Sequence, residues 1–354
     1  MEKILSVCVP TYNMEALLAR CLDSFIIEEE YMNQLQVLVV NDGSKDNSSK
    51  IAHEYADKYP NTFEVIDKPN GNYGSCINAA LKVAKGKYFK ICDADDWYNS
   101  SSLKEFLLRI CKADADALVT DFTIISENAP EKQMSKNLCD NEVYDINNIE
   151  NAIKVGTIRM HALSVKTSLL KEINYTQTEG ISYTDTEFTY FPFFAVNSIQ
   201  YFAINLYQYM VGREGQTMDP KSLAKNIPAF KKVAVRMIEK LSSTDMSEIS
   251  AGRQYILKEH ITYIVNAVAG YVLYYLPVNK DRQAELKVVD DKLKSLPEIY
   301  QSTNSLSIGG YHYLSFWRTH GNDMRKSIKF GVRELFACIF GKRAYNFKQI
   351  ITDL

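Results

Sequence analysis

Over the first 125 residues, short apolar runs alternate with helical spacing of apolar positions. Ile4–Val9 is a β-type run ending at Pro10, and Asn13 stands where it would cap a helix with the inner face Leu17, Leu18, Cys21, Leu22 and Phe25. Val37–Val40 predicts a second strand, followed by Asn41-Asp42-Gly43-Ser44 and a helix burying Ile51, Ala52, Tyr55 and Tyr59. Phe63–Ile66 is a third strand. Ile77, Ala80, Leu81 and Ala84 stand at i, i+3, i+4 and i+7, a helix face that Lys85-Gly86-Lys87 ends. Tyr88–Cys92 predicts a fourth strand, Leu103, Phe106, Leu107 and Ile110 a further helix, and Ala117–Ile125 a fifth strand. Uninterrupted apolar strands alternating with helices predict an α/β fold, a mostly parallel sheet covered by helices on both faces.

Residues 126 to 218 read as looser, mixed strand and helix, and beyond them the chain turns helical. Phe230, Val233, Ala234, Met237, Ile238 and Leu241 form one apolar stripe, Ile261, Ile264, Val265, Val268 and Val272 a second, and Ile328, Val332, Leu335, Phe336 and Ile339 a third. A boundary is expected near Asp219-Pro220, separating residues 1–219 from an appended helical region, 220–354.

Composition narrows the class. The 354 residues carry 41 Lys+Arg against 43 Asp+Glu, too balanced for broad nucleic-acid binding, which needs a basic excess. The 7 cysteines include no C-x-x-C pair, which argues against a disulfide framework or a zinc ribbon. The start of the chain is too quickly interrupted for a signal peptide, and Ile261–Leu276 is too short for a spanning helix, so a soluble, cytoplasmic protein is expected. Among 23 tyrosines, those at 255, 263, 271, 274 and 275 read as core or oligomer interface rather than a sugar subsite.

Parallel sheets of this kind bind ligands at the carboxyl ends of their strands. That edge would carry Pro10-Thr11-Tyr12-Asn13, Asn41-Asp42-Gly43-Ser44 and Asp93-Ala94-Asp95-Asp96. Crowded carboxylates repel one another unless a cation neutralises them, and hard oxygen ligands select Mg²⁺ or Mn²⁺. The plainer alternative is an acidic turn capping the helix from Ser100 to Ile110. Asp42 can accept hydrogen bonds from a base or ribose, or belong to an ordinary Asp-Gly-Ser turn with Asp46 capping the next helix. Asn70-Gly71-Asn72-Tyr73-Gly74-Ser75 can bring backbone N–H groups to a phosphate, yet it is neither a dinucleotide fingerprint nor a Walker loop.

Together, Val7-Cys8-Val9-Pro10-Thr11-Tyr12-Asn13, Val39-Val40-Asn41-Asp42-Gly43-Ser44 and Ala84-Lys85-Gly86-Lys87-Tyr88 running into Asp93-Ala94-Asp95-Asp96 resemble family 2 glycosyltransferases of the GT-A fold, over roughly residues 3 to 112. The resemblance implies a UDP-sugar donor, an inverting hexosyl or N-acetylhexosaminyl transfer to a glycan, lipid-linked or protein-linked acceptor, and a Mn²⁺ or Mg²⁺ ion. Residues 1–125 become the nucleotide-binding half and 126–219 the acceptor half. Carried over by motif, Pro10, Thr11 and Tyr12 face the nucleoside, with Tyr12 stacked on uracil and Asp42 accepting from its N3–H. Asn70 sits near the nucleoside, Asp93 approaches the ribose and, with Asp95, binds the metal, and Arg213 and Gln216 meet the diphosphate. Asp185 is the implied general base, with Thr184 where the family carries Glu and Glu187 as a rival. The alternative for this segment is a cap on a helix Thr186–Ala195. Ile77 replaces a frequent Arg beside Asn78, leaving one donor-phosphate contact unfilled.

His161 reads as structural before it reads as a metal or acceptor ligand. The basic run from Arg325 to Lys348 reads as a helix docking on the body or on a partner subunit, with a peripheral contact at the inner face of a membrane as the other expectation. A second function, a sugar-nucleotide-binding assembly partner without turnover, is motivated by Thr184 and Ile77. A nucleotidyltransferase would need a Gly-rich basic loop after strand one, and none is there.

Overall fold

A computed structural model of the chain describes residues 2–126, 129–212, 220–307 and 310–324. The strands are β1 (Leu5–Thr11), β2 (Leu35–Asn41), β3 (Phe63–Asp67), β4 (Tyr88–Ile91), β5 (Trp97–Tyr98), β6 (Ala117–Ser126), β7 (Ala129–Met134), β8 (Val143–Asp145), β9 (Leu163–Lys166) and β10 (Ser198–Val211). Interleaved with them are α1 (Leu18–Asp23), α2 (Glu29–Met32), α3 (Ser48–Lys58), α4 (Asn72–Val83), α5 (Ser100–Ile110), α6 (Ile149–Val155), α7 (Thr167–Glu172) and α8 (Asp185–Phe188). The helices α9 (Pro220–Ser242), α10 (Ala251–Gly270), α11 (Lys280–Leu293), α12 (Pro297–Ser302) and α13 (Tyr313–Thr319) follow.

One sheet runs β3-β2-β1-β4-β9-β6-β10-β5, with β7 on β6 and β8 on β10. Its first four strands are parallel, and their register aligns Thr11 with Asn41 and Asn41 with Asp67, so the loops after β1, β2 and β3 leave at one edge. The apolar runs of β1, β2 and β4 are buried, as strands covered on both faces must be. Past β4 the sheet is mixed: β9 is antiparallel to β4 and β6, while β10 is parallel to β6. The expected α/β sheet with its covering helices and helical C-terminal region is present, and the parallel half is the part the early sequence describes.

Some local expectations change. β1 continues through Pro10 to Thr11. Asn13 does not cap: it adopts φ 54°, and its Oδ1 accepts from Lys45 N–H at 2.8 Å, while α1 starts later at Leu18 without a side-chain cap. The cap of α5 is Asn99, whose Oδ1 accepts from Ser102 N–H at 3.0 Å, so the acidic turn is not needed for that purpose. The helix expected over Thr186–Ala195 breaks into α8 and a 3₁₀ turn, Phe191–Phe194, where Pro192 has no N–H to continue an α-helical ladder.

The described residues divide into two compact units, one within Met1–Val211 and Met246–Leu257, the other within Gly212–Asp245 and Lys258–Leu354. In the first, the start of α10 is tied down by Arg253, whose Nη1 donates to Phe194 O at 2.9 Å, and by Ser250, whose Oγ donates to Asn147 Oδ1 at 2.7 Å. In the second, the stripe Val233, Ala234, Met237, Ile238 and Leu241 of α9 is buried, and Lys231–Glu285 and Glu239–Lys292 ion pairs of 2.5 and 2.7 Å link α9 to α11. A buried Arg318–Asp290 pair at 2.6 Å joins α13 to α11. The third stripe and the basic run from 325 onward lie outside the described residues. Among the described residues, no helix is long and apolar enough to cross a membrane.

Candidate active site

The loops after β1 and β2 are laced together. Asn13 N–H donates to Ser44 Oγ at 3.1 Å, Met14 N–H to Ser48 Oγ at 2.7 Å, Glu15 N–H to Asp46 Oδ2 at 3.0 Å, and Asn47 N–H to Glu15 Oε2 at 2.9 Å. Tyr12 projects from this lacing with 45% of its surface exposed. Asp42 is buried beside it. Its Oδ1 accepts from Lys68 Nζ at 2.6 Å and from Gly71 N–H at 2.9 Å, and its carbonyl accepts from Asn70 Nδ2 at 3.0 Å. Among the described residues, no hydrogen bond is made to Asp42 Oδ2. Gly43 has φ +72°, and a Cβ there would stand 3.1 Å from Asn70 N, so the approach of these two loops requires glycine.

Beyond β4, carboxylate oxygens of Asp93, Asp95 and Asp96 lie within 4.8 Å of one another. Asp93 Oδ1 accepts from the Tyr73 hydroxyl at 2.7 Å, and Asp93 N–H donates to the Tyr207 hydroxyl oxygen at 3.1 Å. Burial, then repulsion from Asp95, pushes the Asp93 carboxyl up to about 7. Asp96 is raised too, by burial first and then by Asp95 and Asp93. Acidic groups strained in this way, with only oxygen donors between them, fit a hard divalent cation. The turn is braced from below by Arg20, whose Nη2 donates to Asp95 O at 2.6 Å while its guanidinium lies 4.0 Å from the Trp97 ring centre.

Asp185 opens α8. The residue before it, Thr184, is buried and accepts from Gln177 Nε2 through both its carbonyl and its hydroxyl, at 2.8 and 3.0 Å. Tyr183 holds φ +63°, a conformation a bulky side chain adopts only where its surroundings impose it. The segment 177–180 is fixed against α4: Asn78 exchanges hydrogen bonds with Gln177 at 2.9 and 2.8 Å, and Gly180 N–H donates to Gly71 O at 2.8 Å. A Cβ on Gly74 would meet Thr178 O at 2.1 Å, so this approach depends on glycine as well.

Burial raises the Asp185 carboxyl, with Arg159 pulling the other way. Its charge is also felt at Asp93, Tyr73 and Tyr209, so the carboxylates after β4 and at α8 share one neighbourhood. Both Glu187 oxygens accept hydrogen bonds from Thr178, one from its N–H and one from its hydroxyl.

The His161 ring stacks on Phe122 and lies against Tyr209 and Tyr207, with centroids at 5.2, 4.1 and 4.9 Å. Burial, followed by the nearby Arg159 and Lys90 charges, lowers its pKa to about 3, and it sits as a neutral packing group. Ile77 is wholly buried in the face of α4. Arg213 and Gln216 lie outside the described residues. The structure also brings in groups the sequence did not single out: Lys68, Tyr73, Tyr207 and Tyr209. Tyr73 lay within a motif and was open to suspicion. Tyr207 and Tyr209 carry only the i, i+2 spacing of a strand face.

Residues 6–175 match the model of glycosyl transferase family 2. An uncharacterized glycosyltransferase of Mycoplasma pneumoniae, the MG025 homolog, is 39% identical over 103 residues, 28% of this chain and 34% of that protein. The minor teichoic acid biosynthesis protein GgaB of Bacillus subtilis is 37% identical over 102 residues, 29% of this chain and 11% of that protein. The matched stretch thus spans about a third or less of these relatives' own length. The structure of S. aureus TarS 1-349 in complex with UDP-GlcNAc superimposes with a TM-score of 0.63 at 20% identity, covering 96% of this chain and 93% of that one, and so shares the fold. Residues 6–175, 170 of the 354, are thus similar to glycosyl transferase family 2 over just under half of the chain.

Proposed function

We propose that this protein is a glycosyltransferase that moves a hexosyl or N-acetylhexosaminyl group with inversion from a UDP-sugar to a hydroxyl of a glycan, lipid-linked or protein-linked acceptor, at the cytoplasmic side. The observation that carries the reading is the cluster of Asp93, Asp95 and Asp96 after β4, whose carboxylate oxygens lie within 4.8 Å of one another, with the Asp185 charge at the start of α8 adding to the rise of the Asp93 carboxyl. An inverting displacement needs a base for the attacking hydroxyl facing a site that holds the leaving diphosphate. Asp185 takes the acceptor's proton on its carboxylate, and the burial that raises its pKa makes it a stronger base than a surface aspartate. Tyr12 stacks on uracil, Pro10 and Thr11 wall the nucleoside, Asp42 Oδ2 accepts from N3–H, and Asn70 closes the pocket beside it. Asp93 and Asp95 would hold Mn²⁺ or Mg²⁺. A cation bound there supplies charge stabilisation to the leaving group. TarS in complex with UDP-GlcNAc supports UDP as the nucleotide, and the similarity to the minor teichoic acid biosynthesis protein GgaB supports a teichoic-acid-type acceptor.

The test is UDP release from a panel of UDP-sugars with Mn²⁺, with and without chelator. Release that disappears with chelator, with Asp95→Ala and with Asp185→Asn is the expected result. Full activity in Asp185→Asn removes the base assignment, and UDP binding without turnover on any donor makes the chain a binding partner.

A further inference from the structure

Tyr207 touches the acidic turn twice. Its hydroxyl oxygen accepts from Asp93 N–H at 3.1 Å, and its proton goes to Asp96 Oδ2 at 2.6 Å. The other oxygen of Asp96 accepts from Met210 N–H at 2.8 Å. Both oxygens of this carboxylate, 1% exposed, therefore answer to β10. Asp93 differs: one of its oxygens takes the Tyr73 hydroxyl at 2.7 Å.

The backbone explains how Tyr207 gets there. The β6–β10 ladder shifts register between Phe202 and Asn205 and again between Asn205 and Tyr207, and irregularities of this kind re-aim the side chains that follow. Immediately after the shifts, Tyr207 pairs with Tyr98 of β5, the strand that leaves the acidic turn. The ring is then packed between Tyr98 and His161, with centroids at 5.6 and 4.9 Å, so its hydroxyl has a fixed direction.

We propose that Tyr207 and Tyr73 are positioning residues for the divalent cation. Tyr207 turns Asp96 from a third ligand into a strut and fixes the turn so that Asp93 and Asp95 face the ion, and Tyr73 holds Asp93 Oδ1 so that Oδ2 is presented. Two protein carboxylates leave coordination positions for substrate phosphates, whereas a third would occupy one of them. The inference rests on the metal reading given above.

Mn²⁺ binding to the full chain, followed by the EPR signal of free Mn²⁺ with and without UDP, separates the two. Wild type is expected to bind and Asp95→Ala to lose binding. Tyr207→Phe is expected to weaken Mn²⁺ by roughly 10- to 100-fold and Tyr73→Phe by about 10-fold, the range for groups that orient metal ligands. Binding of UDP in EDTA, which a merely structural defect would also weaken, should stay unchanged in both. Asp96→Asn should retain Mn²⁺ far better than Asp95→Ala. Wild-type Mn²⁺ affinity in both Tyr variants, equal losses of Mn²⁺ and metal-free UDP binding, or an Asp96→Asn loss as deep as that of Asp95→Ala each overturns the inference. Should Tyr207→Phe fail to fold, Tyr73→Phe, which removes a single hydrogen bond, decides it. A wild-type chain that takes up no Mn²⁺ overturns the metal site itself.

Discussion

Glu187 grips Thr178 with both oxygens: Oε2 accepts from the Thr178 N–H at 2.7 Å and Oε1 from its hydroxyl at 2.6 Å. This buried clamp sits two residues from Asp185, the proposed base, and ties up the rival carboxylate. Glu187→Gln puts an amide NH₂ against a donor and is expected to lower stability by about 1–3 kcal/mol, read as a fall in thermal midpoint. Asp185→Asn should shift that midpoint less, because burial works against the charged form, while lowering kcat by roughly 10²- to 10⁴-fold. The reverse pattern would make Glu187 the base.

Acidity gives a second prediction. A carboxyl raised to about 7 from 3.8 binds more protons folded than unfolded across that interval. The stability Asp93 contributes is therefore full below pH 3.8 and lost as pH rises to about 7. Mn²⁺ takes the proton's place, so adding it should raise the thermal midpoint more at pH 8 than at pH 5. Equal shifts at both values would contradict this. In turnover, the rate should climb with pH through the raised Asp185 titration.

Gly74→Ala tests the junction between α4 and the segment before α8. A methyl group 2.1 Å from Thr178 O forces the two apart, and overpacking of this kind costs about 1–3 kcal/mol. On the proposed function this junction lies between the nucleoside loop and the base, so UDP release should fall further than UDP affinity in this variant.

Tyr12→Ala addresses the nucleoside. Loss of a stacking face removes about 1–3 kcal/mol of binding, and an exposed side chain contributes little to the fold. Weaker UDP binding at an unchanged thermal midpoint, measured by calorimetry, is the expected pair of results.

What the sequence made legible follows from distance along the chain. β1, β2 and β4 announce themselves as buried runs, and Asp42, Asp93 and Asp95 stand within a few residues of strand ends, where a short motif is enough to find them. β5 is two residues long and carries no period. The bond from Tyr207 to Asp96 spans 111 residues and depends on register shifts that no local pattern encodes. Asn13 reads locally as a cap, yet its side chain pairs across to Lys45 in the next loop instead of with its own helix.

β4 and β5 are separated by only five residues, Cys92 to Asp96, yet stand four places apart in the sheet order. Laid flat, four interstrand spacings span roughly 19 Å. That is nearly the full reach of so short a stretch, roughly 20 Å when extended. This stretch is not extended, since Asp96 N–H folds back to Asp93 O at 3.0 Å. The sheet must therefore curl until its two halves meet, and the acidic turn is the clasp that closes it. Any charge placed between Asp93 and Asp95 consequently acts on the closure as well as on a substrate, and hydrogen exchange at Asn99, whose N–H donates across to Leu206 O at 2.9 Å, becomes a reporter of what the turn holds.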